Sequence, residues 1–190
     1  MPMLVIILGQ KLGIDLTAAS APEHIFVMFR EGSGKWLNFE ATNGTFVSNA
    51  WIQNEAPMTQ QALASGIYMR PLTKRETVVL MLETLMVFYR QHGWHEETVA
   101  LAKLALEHNP KDVSSMLAIG AAYGRQMERD CVSKYGSPRN VPSDQRPYCS
   151  QLNAAVGLWQ SRAEALGWRE PTAAANAEYQ ERIDRAKAAQ

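Results

Sequence analysis

Residues 21–42 read APEHIFVMFREGSGKWLNFEAT. Two runs rich in β-branched and aromatic residues flank Arg30-Glu31-Gly32-Ser33-Gly34, a glycine-rich connection of the length that joins antiparallel strands. His24 opens the first run, and Glu40 follows sixteen residues later in the second. Side chains alternate along a strand, so Trp36, Asn38 and Glu40 share one face while Leu37, Phe39 and Ala41 take the other. The polar face of the second strand therefore carries Asn38 and Glu40 together. A hairpin of this register sets an imidazole beside a carboxylate, the relation of a general base to the acid that orients it.

On the N-terminal side, residues 1–11 are predicted to form a short apolar helix stopped at Gly13. The run MLVIIL breaks at Gly9-Gln10-Lys11, well short of a membrane span. No basic residue precedes it, and Lys11 and Asp15 interrupt the stretch before the small residues LTAASA, so a structural helix is expected rather than a signal peptide. GIDLTAA reads as a first strand. After the hairpin, Asn43-Gly44 marks a turn, a loop holds Asn49, Trp51 and Pro57, and a short helix is expected around 58–64.

From Thr73 the periodicity turns helical. TVVLMLETLMVFYRQHG closes at Gly93, HEETVALAKLALEHNP ends at Pro110, and DVSSMLAIGAAYGRQMERD opens with Asp112 as its N-cap. Residues 135–148 read as a loop, followed by helices over 149–166 and 172–188. Counting back from Pro110 at tetratricopeptide spacing puts Leu82, Leu85, Tyr89, Gly93, Ala102 and Ala105 at the small or bulky positions of a helical pair. One period further, Met116, Ile119, Gly120 and Tyr123 occupy the matching places. One full unit and half of another fall short of the three that usually stand alone, so this array is expected to lean on the N-terminal half.

The 190 residues balance 19 basic against 19 acidic side chains. That gives no electrostatic footprint for nucleic acid, and no Lys/Arg block suggests a polybasic membrane patch. His92, His95 and His108 lack further ligands at metal spacing, so neither a metal nor another cofactor is expected. Cys131 and Cys149 bracket a proline-containing polar segment; a disulfide and two independent thiols both fit, and with them an oxidising compartment or the cytoplasm.

His24-Ile25-Phe26-Val27 and Trp36-Leu37-Asn38-Phe39-Glu40-Ala41-Thr42 resemble the H-x-W-V and W-x-x-[acid]-x-T strands of the transglutaminase-like branch of the papain-like superfamily. Glu40 stands where that family more often has Asp. Over residues 1–72 the resemblance implies a helix on an antiparallel sheet, with His24 as general base and Glu40 as its orienting carboxylate. GIYMRPLTKRE followed by paired helices is similar to bacterial transglutaminase-like proteins fused to tetratricopeptide repeats. The family's nucleophilic Cys begins the helix before the sheet, where the helix dipole lowers a thiol pKa. Here that helix starts at Met1-Pro2, which places the implied sulfur just ahead of Met1 and outside the helical half that holds Cys131 and Cys149. A chain cut short ahead of its nucleophile and a degenerate, non-catalytic member both fit this pattern.

The expected architecture is α+β, with a partial transglutaminase-like core over 1–72 and a tetratricopeptide-like helical region over 73–190. The expected chemistry is thiol-dependent amide cleavage or acyl transfer by the family, absent from this chain as written. A peptide- or protein-binding module on the helical surface is the alternative, and a polypeptide is the expected partner either way. Asn38 and Trp36 are candidate supporting residues. Trp36 is expected to pack rather than stack on substrate.

Overall fold

The computed structural model describes residues 1–188. Helix α1 (Pro2–Lys11) leads into a four-stranded antiparallel sheet of β1 (Leu16–Ala21), β2 (His24–Arg30), β3 (Trp36–Glu40) and β4 (Thr45–Val47), in that spatial order. Two short helices follow, α2 (Asn49–Glu55) and α3 (Gln60–Ser65). The chain then becomes helical with α4 (Lys74–Gln91), α5 (His95–His108) and α6 (Val113–Met127). A π-helical turn (Glu128–Val132), α7 (Ser133–Tyr135) and a 3-10 turn (Pro138–Asn140) lead to α8 (Arg146–Ala165) and α9 (Ala173–Ala188). The mixed class expected from the sequence is the one observed: a helix, an antiparallel sheet, then mostly helices.

Boundaries differ in informative places. β1 begins at Leu16 rather than Gly13, because Gly13 takes a left-handed φ of 73° and the Ile14 amide bonds back to the Gly9 carbonyl to finish α1. Thr45–Val47, read as loop, is an edge strand paired with Asn38–Glu40. Asn49–Glu55 is a helix, its first turn capped by the Ser48 hydroxyl accepting from the Trp51 amide. The stretch 135–148 contains short helical turns, and α8 begins at Arg146.

Each face of the sheet has its own cover. Leu16, Ala18, Ile25, Val27, Phe39 and Ala41 pack against α1 through Ile6 and against α4 through Leu80. Ala19, Ala21, Phe26 and Met28 face the other way, onto Ile52 and Ala56 of α2 and its exit. The face that alternation marks as polar, with Asn38 and Glu40, is thus buried: they are 5% and 2% exposed. In the helical half, Val79 and Met86 of α4, Ala102 and Ala105 of α5 and Ile119 of α6 form one core. Small residues let these helices approach closely, and Gly120 of α6 sits against Trp159 of α8. Leu85, a packing position in the repeat count, instead lies on the outer surface. Capping sharpens the entry to α4, where Thr73 and Glu76 form a reciprocal capping box.

The two cysteines are joined. Cys131 in the π-helical turn and Cys149 in the first turn of α8 form a disulfide that closes the intervening segment.

Candidate functional site

His24 is the first residue of β2, reached from β1 through the tight Pro22-Glu23 connection, in which Glu23 adopts φ 54°. Glu40 is the last residue of β3. Antiparallel pairing, with Val27 opposite Phe39, brings the start of one strand beside the end of the other. His24 Nε2 and Glu40 Oε2 lie 2.7 Å apart. The second oxygen, Oε1, accepts from the Thr42 amide at 3.0 Å and from the Thr42 hydroxyl at 2.7 Å.

This bonding fixes the chemistry of the ring. Burial pushes the Glu40 carboxyl up, but the two Thr42 bonds and the His24 charge outweigh it and hold the group below its ordinary value. An ionised carboxylate only accepts, so Nε2 of His24 is the donor and carries the proton. Nδ1 is then the ring nitrogen with a lone pair in the neutral imidazole. The ring lies nearly parallel to Phe26, with centroids 6.1 Å apart, and is about one-third exposed, while Glu40 is closed off. A buried carboxylate behind a partly exposed imidazole is an arrangement that can support general-base chemistry.

The candidate supporting residues take other positions. Asn38 Nδ2 donates to Asn49 Oδ1 at 2.6 Å and ties β3 to α2 rather than to the His24–Glu40 pair. Trp36 sits at the far end of β3, packs with the core under α2 and carries the Arg30 guanidinium 5.8 Å above its ring. With both sulfurs in the disulfide, neither Cys131 nor Cys149 offers a thiol.

Helix α1 runs antiparallel to β1. Its C-terminal turn meets Leu16 through Gly9, at the end of the sheet away from His24, so its N-terminus heads toward the end where Ala21 pairs with His24. The helix lies against the opposite face of the sheet from the His24 and Glu40 side chains.

Beside His24 opens a cleft of about 510 Å³ between the sheet's end and the helical half. Glu23, Tyr68, Glu83, Lys111, Asp112 and Trp168 contribute to its wall. Burial drives the Glu83 carboxyl up to about 7, opposed by a Ser114 hydrogen bond and reinforced by Asp112 and Glu23. Burial, with the charges of Glu23, Glu83 and Asp112, pushes the Tyr68 hydroxyl up to about 12. Asp112 caps α6 by accepting from the Ser115 amide, yet burial raises it too. The sequence marks Asp112 as an N-cap only, and nothing local marks Tyr68 or Glu83; only the packing of α4 and α6 on the sheet's end assembles this wall.

Comparisons of the chain with protein-family models, with curated proteins and with solved structures find no match. Among the described residues no helix is long and apolar enough to cross a membrane.

Proposed function

We propose that His24 and Glu40 are the base and orienter of a thiol-dependent site of the transglutaminase-like, papain-like kind, acting on amide bonds. The observation that carries this reading is the 2.7 Å contact between His24 Nε2 and a Glu40 carboxylate whose other oxygen is already held twice by Thr42. In the proposed chemistry His24 Nδ1 takes the proton of a thiol, and Glu40 stabilises the resulting imidazolium through Nε2–H. The thiolate attacks the amide carbonyl carbon. The C–N bond then breaks as the imidazolium returns its proton to the departing amine, leaving a thioester for water or a second amine to open. The sulfur's implied place is the start of α1, whose N-terminus is directed to the His24 end of the sheet. The cleft beside His24 is large enough to seat a peptide side chain.

The test supplies the sulfur. A Met1→Cys chain carrying a short N-terminal extension, so that no free amine adjoins the thiol, is alkylated with iodoacetamide near pH 6.5. His24→Ala in that background is expected to slow the reaction at least ~10-fold, since the thiolate fraction then falls to that of an unassisted thiol. Equal rates would sink the reading. They would favour the second one, a non-catalytic module that holds a peptide in the cleft and on the tetratricopeptide-like helices. The observation on its side is that Cys131 and Cys149, the two cysteines of the sequence, are joined in a disulfide.

A further inference from the structure

The cleft beside His24 carries a charge pattern that the proposed chemistry leaves unused. Among the described residues its wall holds five carboxyl side chains against two cationic ones, Lys111 and Arg169. Both cations are engaged elsewhere. Lys111 Nζ donates to the Ser65 carbonyl at 2.7 Å, and the Arg169 guanidinium donates to the carbonyls of Glu164 and Trp168 and to Gln61 Oε1. Glu23, Glu83 and Asp112 form no ion pair with a lysine or arginine among the described residues. They do act on one another's surroundings: the charges of Glu23 and Asp112 both raise Glu83, and all three raise Tyr68. Capping of α6 accounts for Asp112. It does not account for Glu23 or for Glu83, whose charge is eased only by the Ser114 bond and a smaller effect of Arg90.

Taking His24 and Glu40 as base and orienter, on which this inference rests, we propose that the cleft receives the cationic side chain of a lysine or arginine in a polypeptide substrate, beside the amide presented to His24. A cleft walled by one sign of charge concentrates the opposite sign, and a bound cation relieves the repulsion that neighbouring carboxylates otherwise carry. The apolar part of the wall points the same way. Tyr68 and Trp168 line the same cavity, and aromatic rings beside carboxylates are a combination that recognises ammonium and guanidinium groups. Met58 and Leu117 add surface against which a methylene stem can pack. Carboxylates alone would suit a metal ion equally well, but among the described residues no group of three His, Cys, Asp or Glu is placed to hold one. A phosphate-bearing ligand meets repulsion from the same wall. The volume of about 510 Å³ admits a long side chain together with the main chain on either side of it.

The test is binding, which needs no nucleophile. Short peptides blocked at both ends and differing only in a central lysine, arginine, norleucine or glutamate are titrated into the ¹⁵N-labelled full chain. The Trp168 indole and the His24 ring are the reporters. Lysine and arginine peptides are expected to bind at least ~10-fold more tightly than the norleucine peptide and to shift both reporters. Glu23→Gln combined with Glu83→Gln is expected to abolish that preference. Glu107→Gln, which removes an exposed carboxylate outside the cleft, leaves it intact. Equal binding of the lysine and norleucine peptides, a Trp168 resonance that does not move, or a lysine preference that survives the double variant would overturn the inference. So would n-butylamine competing as tightly as the lysine peptide, which would assign the cleft to a free amine. The two readings fail separately. A charge preference in a chain whose thiol is indifferent to His24→Ala keeps the cation subsite and removes the chemistry, while a His24-dependent thiol without a charge preference does the reverse.

Discussion

Thr42 holds Glu40 twice on one oxygen, through its amide at 3.0 Å and its hydroxyl at 2.7 Å, and so leaves the other oxygen for His24. Thr42→Val removes the hydroxyl bond and keeps the amide bond. The expected result is a rise in the Glu40 pKa, read from its side-chain carboxyl ¹³C shift, and a stability loss of about 1 kcal/mol in urea unfolding. The pH dependence follows from the same bonds. A carboxyl depressed in the folded state adds stability above its unfolded pKa and loses that contribution as pH falls through the folded value. Glu40→Gln should therefore flatten the acid limb of the stability curve.

Glu83 works in the opposite direction. Burial raises its folded pKa from the ordinary carboxylate range to about 7, so the folded state holds its proton longer than the unfolded chain does. Stability from this group is full below the unfolded value and is lost as pH climbs from there through 7. Glu83→Gln is expected to raise the melting temperature at pH 8 and to leave it nearly unchanged at pH 4. An equal gain at both would show that burial of its charge is not the cause.

Gly167 ends α8 at φ 99° and passes so close to α3 that a Cβ there would lie 2.3 Å from the Ala62 nitrogen. Its carbonyl accepts from the Thr59 hydroxyl at 2.7 Å, tying the helical half to the segment after the sheet. Gly167→Ala is expected to destabilise by about 2–4 kcal/mol, combining backbone strain with the clash. Gly13→Ala has a comparable φ but open space around it, and is expected to cost only about 1 kcal/mol. The gap between the two variants measures the close approach.

The Cys131–Cys149 bridge closes a segment of 18 residues in sequence separation. Replacing both with Ser should lower stability by about 3 kcal/mol, by analogy with loops of similar length. Reduction of the unmodified chain should produce a loss of the same size.

The parts of the fold that showed in the sequence are those with their own periodicity and punctuation. The His24–Glu40 hairpin announced itself through alternation and a glycine-rich turn, and α4 to α6 through helical spacing with Gly93 and Pro110 as stops and Asp112 as the cap that opens α6. β4 did not, because three residues at a sheet edge carry too little pattern, and α2 was hidden by a Ser48 cap read as loop. Alternation named the face that carries Asn38 and Glu40 but not its burial, which depends on α2 folding over it. Similarly, the bond from Asn38 goes to Asn49, a partner that only tertiary packing supplies. Glu83 and Tyr68 become cleft residues through contacts between elements far apart in sequence.

The role of His24 is tested most directly by its tautomer. Long-range ¹H–¹⁵N correlation of the histidine rings above their titration range distinguishes the protonated from the lone-pair nitrogen. The expected result is His24 held with the proton on Nε2 and the lone pair on Nδ1, relaxing to a mixture of tautomers in Glu40→Ala. A proton on Nδ1, or a mixture in the unmodified chain that Glu40→Ala leaves unchanged, would contradict the assignment of His24 and Glu40 as base and orienter.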